Sequence, residues 1–299
     1  MPALHPTTKP LELSIVALGV ARLKMPELDA IRKQSLPIFS SSLCPQLLKH
    51  SDEQTLSSLA ALSEAMHDFD LVGHDFSRWA VVSSSKYLGR SAFAAVIHKY
   101  QKEGPWGVSV QVIPHRTPHA VSGTISLALQ THGPCIGAGG NGDESDALIS
   151  VACMLRERPW QGVWLVSSAW SPELLIDPTG TPTSESTCLA SALAVVSQPS
   201  ADAIGQIRFS GKTLAQAHTA DAACRGATGP SLTEYLAGER FLAGESHDRA
   251  GWSCTAGNTL RIDVELQTAP ERRPAGPLHN GGRARHGLST SSTAVRVPS

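Results

Sequence analysis

The sequence predicts an α/β protein that is built on a mostly parallel β-sheet with a buried helix at its centre. Residues 162–168 (GVWLVSS) form a continuous apolar run, which is typical of a strand covered on both faces of a sheet. Residues 11–21 (LELSIVALGVA) are also predicted to form a buried strand. Residues 143–157 follow a tight glycine turn and are apolar nearly all round, which favours a central helix over a surface helix.

The composition indicates a globular protein and excludes several classes of partner. The chain has 299 residues, 41% of them hydrophobic and 17% charged, and a net charge of -1. A balance so close to neutral favours neither nucleic acid nor an anionic membrane as a partner. No secretory signal and no apolar run of about 18 residues is evident. Six scattered cysteines without a C-x-x-C pair indicate reduced thiols, so we expect a soluble, cytoplasmic protein.

Further segments fill in the predicted fold. Strands are predicted at 79–82, 187–197, 203–210 and 259–266, with 187–197 and 203–210 paired as a hairpin. Helices are predicted at 53–66, 91–102, 120–130, 214–224 and 231–241. From residue 268 to 299 the chain is rich in Gly, Pro, Ser and Arg, which predicts a disordered basic tail after a single domain over residues 1–267.

The turn before the central helix is the informative feature. It reads Gly139-Gly140-Asn141-Gly142 and is followed by Asp143, a candidate helix cap. An α/β enzyme of this layout would carry its nucleophile at this bend, yet no thiol, hydroxyl or imidazole stands there. Residues 137–142 match G-x-G-x-x-G, but carboxylates at the helix start occupy the place of a pyrophosphate. No cofactor is therefore predicted.

Two cysteines and two histidines are the remaining candidates for chemistry. Cys153 lies in the middle of the apolar helix, where a thiol is expected to be buried and inert. Cys135 precedes the turn and could act with His119 or His132, although the nearby carboxylates disfavour a thiolate. The histidines lack a carboxylate at ligand spacing, so no metal site is predicted.

An ordered set of motifs resembles the N-terminal half of the β-ketoacyl synthases, which have the thiolase fold. His119-Ala-Val-Ser-Gly123 is similar to their N-x-x-A-G motif, and Gly133-Pro134 follows at their interval. Counting on from there, Gly142 stands at the position of their catalytic cysteine. The segment from Ser184-Glu185-Ser186 into 187–197 is similar to their Gly-Glu-Gly and core strand. The resemblance covers residues 11–210 and is greatest for a divergent branch that lacks the cysteine.

This resemblance implies a thiolase-like fold with a shortened C-terminal half and no catalytic residues. The family uses two histidines from its C-terminal half, whereas His218 and His247 do not lie in the family's motifs. The bend from Gly139 to Asp143 would then be a degenerate nucleophile elbow.

The same resemblance implies a role as a catalytically inactive, chain-length-factor-like subunit. Its partner would be an active ketosynthase in polyketide or fatty-acid-type biosynthesis, or a second copy in a homodimer, with acyl carrier protein as a further partner. Family dimers form through the strand that matches residues 135–139. Two alternatives stay open: an acyltransferase or condensing enzyme that uses Cys135, and an acyl-binding scaffold protein.

Overall fold

Eight strands and seven α-helices make up the described part of the chain. The strands are β1 (Leu11–Leu23), β2 (Trp79–Lys86), β3 (Cys135–Gly140), β4 (Gly162–Ser171), β5 (Thr187–Val196), β6 (Gly205–Gly211), β7 (Gly251–Ala256) and β8 (Leu260–Leu266). The helices are α1 (Met25–Gln34), α2 (Pro45–His50), α3 (Glu53–Asp68), α4 (Arg90–Glu103), α5 (Pro118–Leu129), α6 (Ser145–Glu157) and α7 (Leu232–Leu242). Short 3-10 turns at Pro37–Phe39 and Pro105–Gly107 complete the set.

The structure is a computed structural model that describes residues 10–34, 36–109, 114–140, 144–157, 160–179, 181–183, 185–211, 230–242, 251–256 and 260–267. All of these belong to a unit that spans Met1–Thr268. The predicted tail over 268–299 and the predicted helix over 214–224 lie outside the described residues and stay predictions. Within the described ranges, no helix has the length and apolar content that crossing a membrane requires.

The strands form one sheet, in the order β3-β2-β4-β5-β1-β6-β8-β7. Of the seven pairings between described strands, β2–β3 and β2–β4 are parallel and the other five are antiparallel. The prediction of a mostly parallel sheet is therefore wrong. A continuous apolar run indicates that a strand is covered on both faces but does not indicate its direction. Central antiparallel strands such as β5 are also covered on both faces.

The predicted hairpin of 187–197 with 203–210 is also wrong. Strand β1 lies between β5 and β6 and pairs antiparallel with both of them. Residues Ser14–Leu23 of β1 pair with β5, and Leu11–Ile15 pair with β6. A long apolar strand with both edges satisfied is the more stable arrangement, because every buried backbone N–H and C=O then has a partner.

Two apolar cores cover the two faces of the sheet. Helices α1, α2, α3 and α5 pack on one face, and α6 and α7 pack on the other. Side chains of β5 alternate between the two cores, with Ala190 and Ala192 in the first and Leu193 and Val195 in the second. The two helices of the second core share contacts with β4: α6 also contacts β2, β3 and β7, and α7 also contacts β1 and β5.

Helix α6 is largely buried, as predicted, but it keeps one exposed stripe. Leu148, Val151 and Leu155 are buried against the sheet, whereas Asp146 and Cys153 are exposed on the opposite side. The thiol of Cys153 is therefore not the buried thiol that the apolar pattern predicts. The helix contacts β2, β3 and β4 near one end of the strand order and also β7 at the other end.

Candidate functional site at the carboxyl edge of the parallel strands

The carboxyl ends of β2, β3 and β4 meet at one edge of the sheet, because these three strands are parallel. Lys86 pairs with Gly140, and Ser85 pairs with both Gly139 and Ser168. Helix α6 begins at Ser145, shortly after this edge. In open α/β sheets, ligands bind outside the carboxyl ends of the strands. We therefore take this edge as the candidate site.

The predicted elbow falls at this edge, and the structure describes only its first half. Gly139 and Gly140 are the last residues of β3, whereas Asn141, Gly142 and Asp143 lie outside the described residues. Glu144 is buried, and its carbonyl accepts the Leu148 N–H at 3.0 Å, as in the first turn of a helix. A carboxylate thus occupies the start of α6, where a reactive cysteine would need a positive environment.

A hydrogen-bonded chain of polar side chains crosses the same edge on the α3 face. The hydroxyls of Ser85 and Ser168 lie 2.8 Å apart, and Ser168 donates to Gln54 Oε1 at 3.0 Å. The Gln54 amide in turn donates to the Lys86 carbonyl at 2.9 Å. This chain contains no imidazole, so neither serine has the base that would activate it as a nucleophile. The chain fixes the ends of β2 and β4 to the first turn of α3.

The sequence analysis missed this network, although a signal for it exists. Two apolar strands end in serines, at Ser83-Ser84-Ser85 and at Ser167-Ser168. Polar residues in such buried positions require hydrogen-bond partners, which indicates a network between neighbouring strand ends. The sequence does not reveal that Gln54, far away in the chain, completes it.

A cluster of ion pairs lies at the first turn of α3. Asp52 caps α3 by accepting the Gln54 N–H at 2.9 Å, and its carboxylate lies 2.6 Å from Arg116 Nη1. Arg116 also lies 3.4 Å from Glu53, which Arg32 of α1 contacts at 2.8 Å. Burial raises the pKa of Asp52 above its ordinary 3.8, Glu53 adds to that rise, and Arg116 opposes both. The cluster ties α1 and the segment before α5 to α3.

On the opposite face, helix α7 begins beside the end of β4. Ser231 and Glu234 form a capping box, in which the Glu234 carboxylate accepts the Ser231 N–H at 2.9 Å and Ser231 Oγ accepts the Glu234 N–H at 3.2 Å. Ser171 at the end of β4 donates to Glu234 Oε1 at 3.2 Å. Burial raises the pKa of Glu234, but the bonds from Ser231 and Ser171 and the charge of Lys86 outweigh it, so the pKa falls below 4.5.

Cys135 lies at the amino end of β3, opposite Val81, and not at the carboxyl edge. Gly140 lies five positions further along the strand, a distance of about 17 Å. Its thiol makes a weak contact with the Gly133 carbonyl at 3.8 Å.

Neither candidate histidine is joined to Cys135. His119 lies in the first turn of α5, and its ring approaches Gly123. The backbone N–H of His132 donates to the Ser77 carbonyl at 3.0 Å. No hydrogen bond links either imidazole to the Cys135 thiol among the described residues. Within the same residues, no three His, Cys, Asp or Glu side chains are grouped as metal ligands. His218 and His247 lie outside the described residues.

Comparisons with known proteins identify the fold. No protein-family model matches the chain, and no curated protein matches it. Among solved structures, a type II polyketide synthase acyl-carrier protein in complex with its ketosynthase is similar with a TM-score of 0.54 at 12% identity, covering 86% of this chain and 99% of that chain. The ishigamide ketosynthase/chain length factor is similar with a TM-score of 0.50 at 12% identity, covering 85% and 99%. A β-ketoacyl synthase from Burkholderia phymatum STM815 is similar with a TM-score of 0.52 at 10% identity, covering 87% and 100%.

At these identities the comparisons establish the fold alone. The chain has the thiolase-like α/β fold of the ketosynthases, as the sequence motifs predict. Fold does not determine function, so the role of the chain has to be argued from its site and its surface.

Proposed function

We propose that this chain is a catalytically inactive ketosynthase-like subunit that pairs with an active ketosynthase, as a chain length factor does. The observation that carries the proposal is a ketosynthase fold whose elbow sequence, Asn141-Gly142-Asp143, contains no thiol. Condensation requires a thiolate that carries the acyl chain, and glycine has no side chain to supply one. The serines at the described part of the edge have no activating base in their network.

The free edge of β3 supports a subunit interface. Strand β3 is the terminal strand of the sheet and pairs only with β2 among the described strands. The side chain of Ile136, in β3, is 38% exposed, and that of Leu127, in the neighbouring helix α5, is 57% exposed. An unprotected edge with apolar neighbours promotes pairing with another chain, and soluble proteins usually cover such an edge. A partner strand from a ketosynthase would complete the sheet across the interface, and acyl carrier protein would then deliver substrate to the active partner.

The chain alone is expected to form no acyl adduct. Intact-protein mass spectrometry after incubation with an acyl thioester of acyl carrier protein should show the unmodified mass, whereas an active ketosynthase should gain one acyl group. The physical reason is that no described base is hydrogen-bonded to the Cys135 thiol and that the elbow sequence contains no thiol. An adduct on Cys135 that disappears in Cys135→Ala would overturn the proposal and favour the acyltransferase alternative.

The interface is tested by co-purification with each ketosynthase of the same operon. Ile136→Lys is expected to weaken the complex at least about tenfold, because it places a charge in the centre of the apolar contact. Lysine is well tolerated on free edge strands, so the variant should fold normally. Leu175→Lys is the matched control, since Leu175 is 58% exposed in a loop after β4. If the wild-type chain remains a monomer or homodimer beside every such ketosynthase, the proposal is wrong.

A further inference from the structure

The exposed apolar side chains are concentrated in one stretch of the chain. Among the described residues, eight large hydrophobic side chains are exposed, and six of them lie between Tyr87 and Ile136. Four of the six belong to residues 87–109, which we call the arm: Tyr87, Ile97, Tyr100 and Trp106. Trp106 is 98% exposed, so the indole makes almost no contact with its own chain. Clustered apolar exposure of this kind marks interaction surfaces.

Helix α4, the main element of the arm, does not pack as a normal surface helix. None of its residues is buried. Even its large apolar side chains are open to solvent, since Ile97 is 57% and Tyr100 is 54% exposed. Positions three apart lie on one face of a helix, so these two side chains form a continuous apolar stripe. A helix of globular proteins buries its apolar stripe to offset the cost of ordering it. The stripe of α4 therefore lacks the surface that would cover it.

The base of the arm contacts the body of the protein at several described residues. Arg90 forms an ion pair with Glu173, and Phe93 and Arg116 lie against Gly89. Gly89 and Gly104, which flank α4, both have φ of 73°, a conformation that glycine adopts without strain. The body of the protein thus holds the start of the arm in place and leaves Trp106 projecting from it.

The base of the arm is continuous with the β3 edge. Arg116, which contacts Gly89, lies two residues before α5. The first turn of α5 packs directly on β3, because the Pro118 carbonyl carbon lies 2.3 Å from where a Cβ of Gly137 would be. One run of contacts therefore joins the arm to the strand at which we place the partner.

The charges of the arm define the chemistry of the surface that would receive it. The arm carries three cationic residues, Arg90, Lys99 and Lys102, and one carboxylate, Glu103. Lys99 and Glu103 form an exposed pair with a separation of 3.8 Å. Exposed pairs of this kind contribute little to stability, so the lysines remain available to a partner. The complementary surface would be an apolar groove with acidic side chains at its rim.

We propose that the arm is the second part of the subunit interface, with Trp106 and Tyr100 inserted into a groove on the same ketosynthase that pairs with β3. This inference rests on the proposed function and names the surface through which the partner is held. Aromatic side chains that become fully buried at the centre of a contact dominate its affinity.

The experiment is a binding titration of the full-length chain with its ketosynthase partner. Trp106→Ala is expected to raise the Kd about 30-fold or more, and Tyr100→Ala at least about fivefold. Trp106→Phe should keep the Kd within about threefold of wild type, because it retains an aromatic ring. Leu175→Ala, at another exposed apolar position, is the matched control and should leave the Kd unchanged. The three alanine variants should have the Tm of the wild-type chain, because each removes a side chain that is exposed to solvent.

The outcomes separate this inference from the proposed function. If Ile136→Lys weakens the complex while Trp106→Ala and Tyr100→Ala bind like wild type, the arm lies outside the interface and the inference is wrong, although the proposed function stands. If the wild-type chain binds no ketosynthase, the proposed function fails and the inference fails with it. If Trp106→Ala abolishes self-association and leaves ketosynthase binding unchanged, the arm belongs to a homodimer, which also overturns the inference.

Discussion

Replacement of Gly19 by alanine is expected to destabilise the protein by about 3 kcal/mol or more. Gly19 lies in β1 at the point where α3 crosses the sheet, and a Cβ there would lie 1.9 Å from the Ala61 carbonyl oxygen and 2.5 Å from the Ala65 backbone nitrogen. These atoms belong to the backbone of a helix, so no side-chain rotation can relieve the clash. The helix would have to move away from β1 and lose contacts along its buried face, which includes Leu59 and Leu62.

Urea denaturation measures this effect, with Gly211→Ala as the control. Gly211 also belongs to a described strand, as the last residue of β6, but a Cβ there would meet nothing within 4 Å. Alanine at that position should change the free energy of unfolding by less than about 1 kcal/mol, and it could raise it by restricting the unfolded chain. Equal effects of the two substitutions would contradict the close approach of α3 to β1.

Replacement of Arg116 by methionine is expected to destabilise the protein by about 3 kcal/mol at neutral pH. The Asp52 side chain is 4% exposed and has Arg116 Nη1 at 2.6 Å, so the substitution leaves a buried carboxylate without its cation. An unpaired charge in the interior costs more than the pair itself contributes. The segment that leads into α5, and with it the base of the arm, would lose its tie to α3.

The loss of stability in Arg116→Met should depend on pH, in a direction set by the pKa of Asp52. Burial and Glu53 raise this pKa above 3.8 in the folded protein, so Asp52 favours folding most below pH 3.8 and loses that contribution as the pH rises through its folded pKa. Removal of Arg116 takes away the main opposing charge and raises the pKa further. The difference between variant and wild type should therefore be largest at neutral pH and shrink on acidification.

Two further variants test the cause of this loss. Asp52→Asn combined with Arg116→Met should recover most of the stability, because a neutral amide replaces the stranded charge. Arg208→Met removes the exposed pairs with Glu12 and Glu265 and should change stability by less than about 0.5 kcal/mol. A loss for Arg116→Met that is constant with pH would contradict a role for the Asp52 charge.

The sequence located the candidate edge better than it described the side chains there. The strand Cys135–Gly140 and the helix Ser145–Glu157 follow from a glycine turn between two apolar segments, and both elements are confirmed. The turn itself, at residues 141–143, lies outside the described residues and stays a prediction. The chain from Ser85 through Ser168 to Gln54 joins residues that are 83 and 114 positions apart. No local pattern reports such a contact, because it depends on which strands become neighbours in the sheet.

The exposed arm is a second example of a long-range feature that local sequence patterns do not predict. Its helix is predicted at 91–102 and found at Arg90–Glu103, because Ser91–Lys102 has helical periodicity. Periodicity predicts that an apolar face is covered but does not say by what. The structure shows that the body of this chain does not cover Ile97 and Tyr100.

The sequence by itself determined the thiolase-like fold, through ordered motifs and apolar segments, and the lack of a thiol at Gly142. Only the tertiary structure decided the order and direction of the strands, the exposed stripe of α6 and the place of β3 at the end of the sheet that the described strands form. The physical reason is that apolar periodicity records which faces of an element are removed from water. It carries no information on which neighbour removes them, since the hydrophobic effect is proportional to buried area and has no direction.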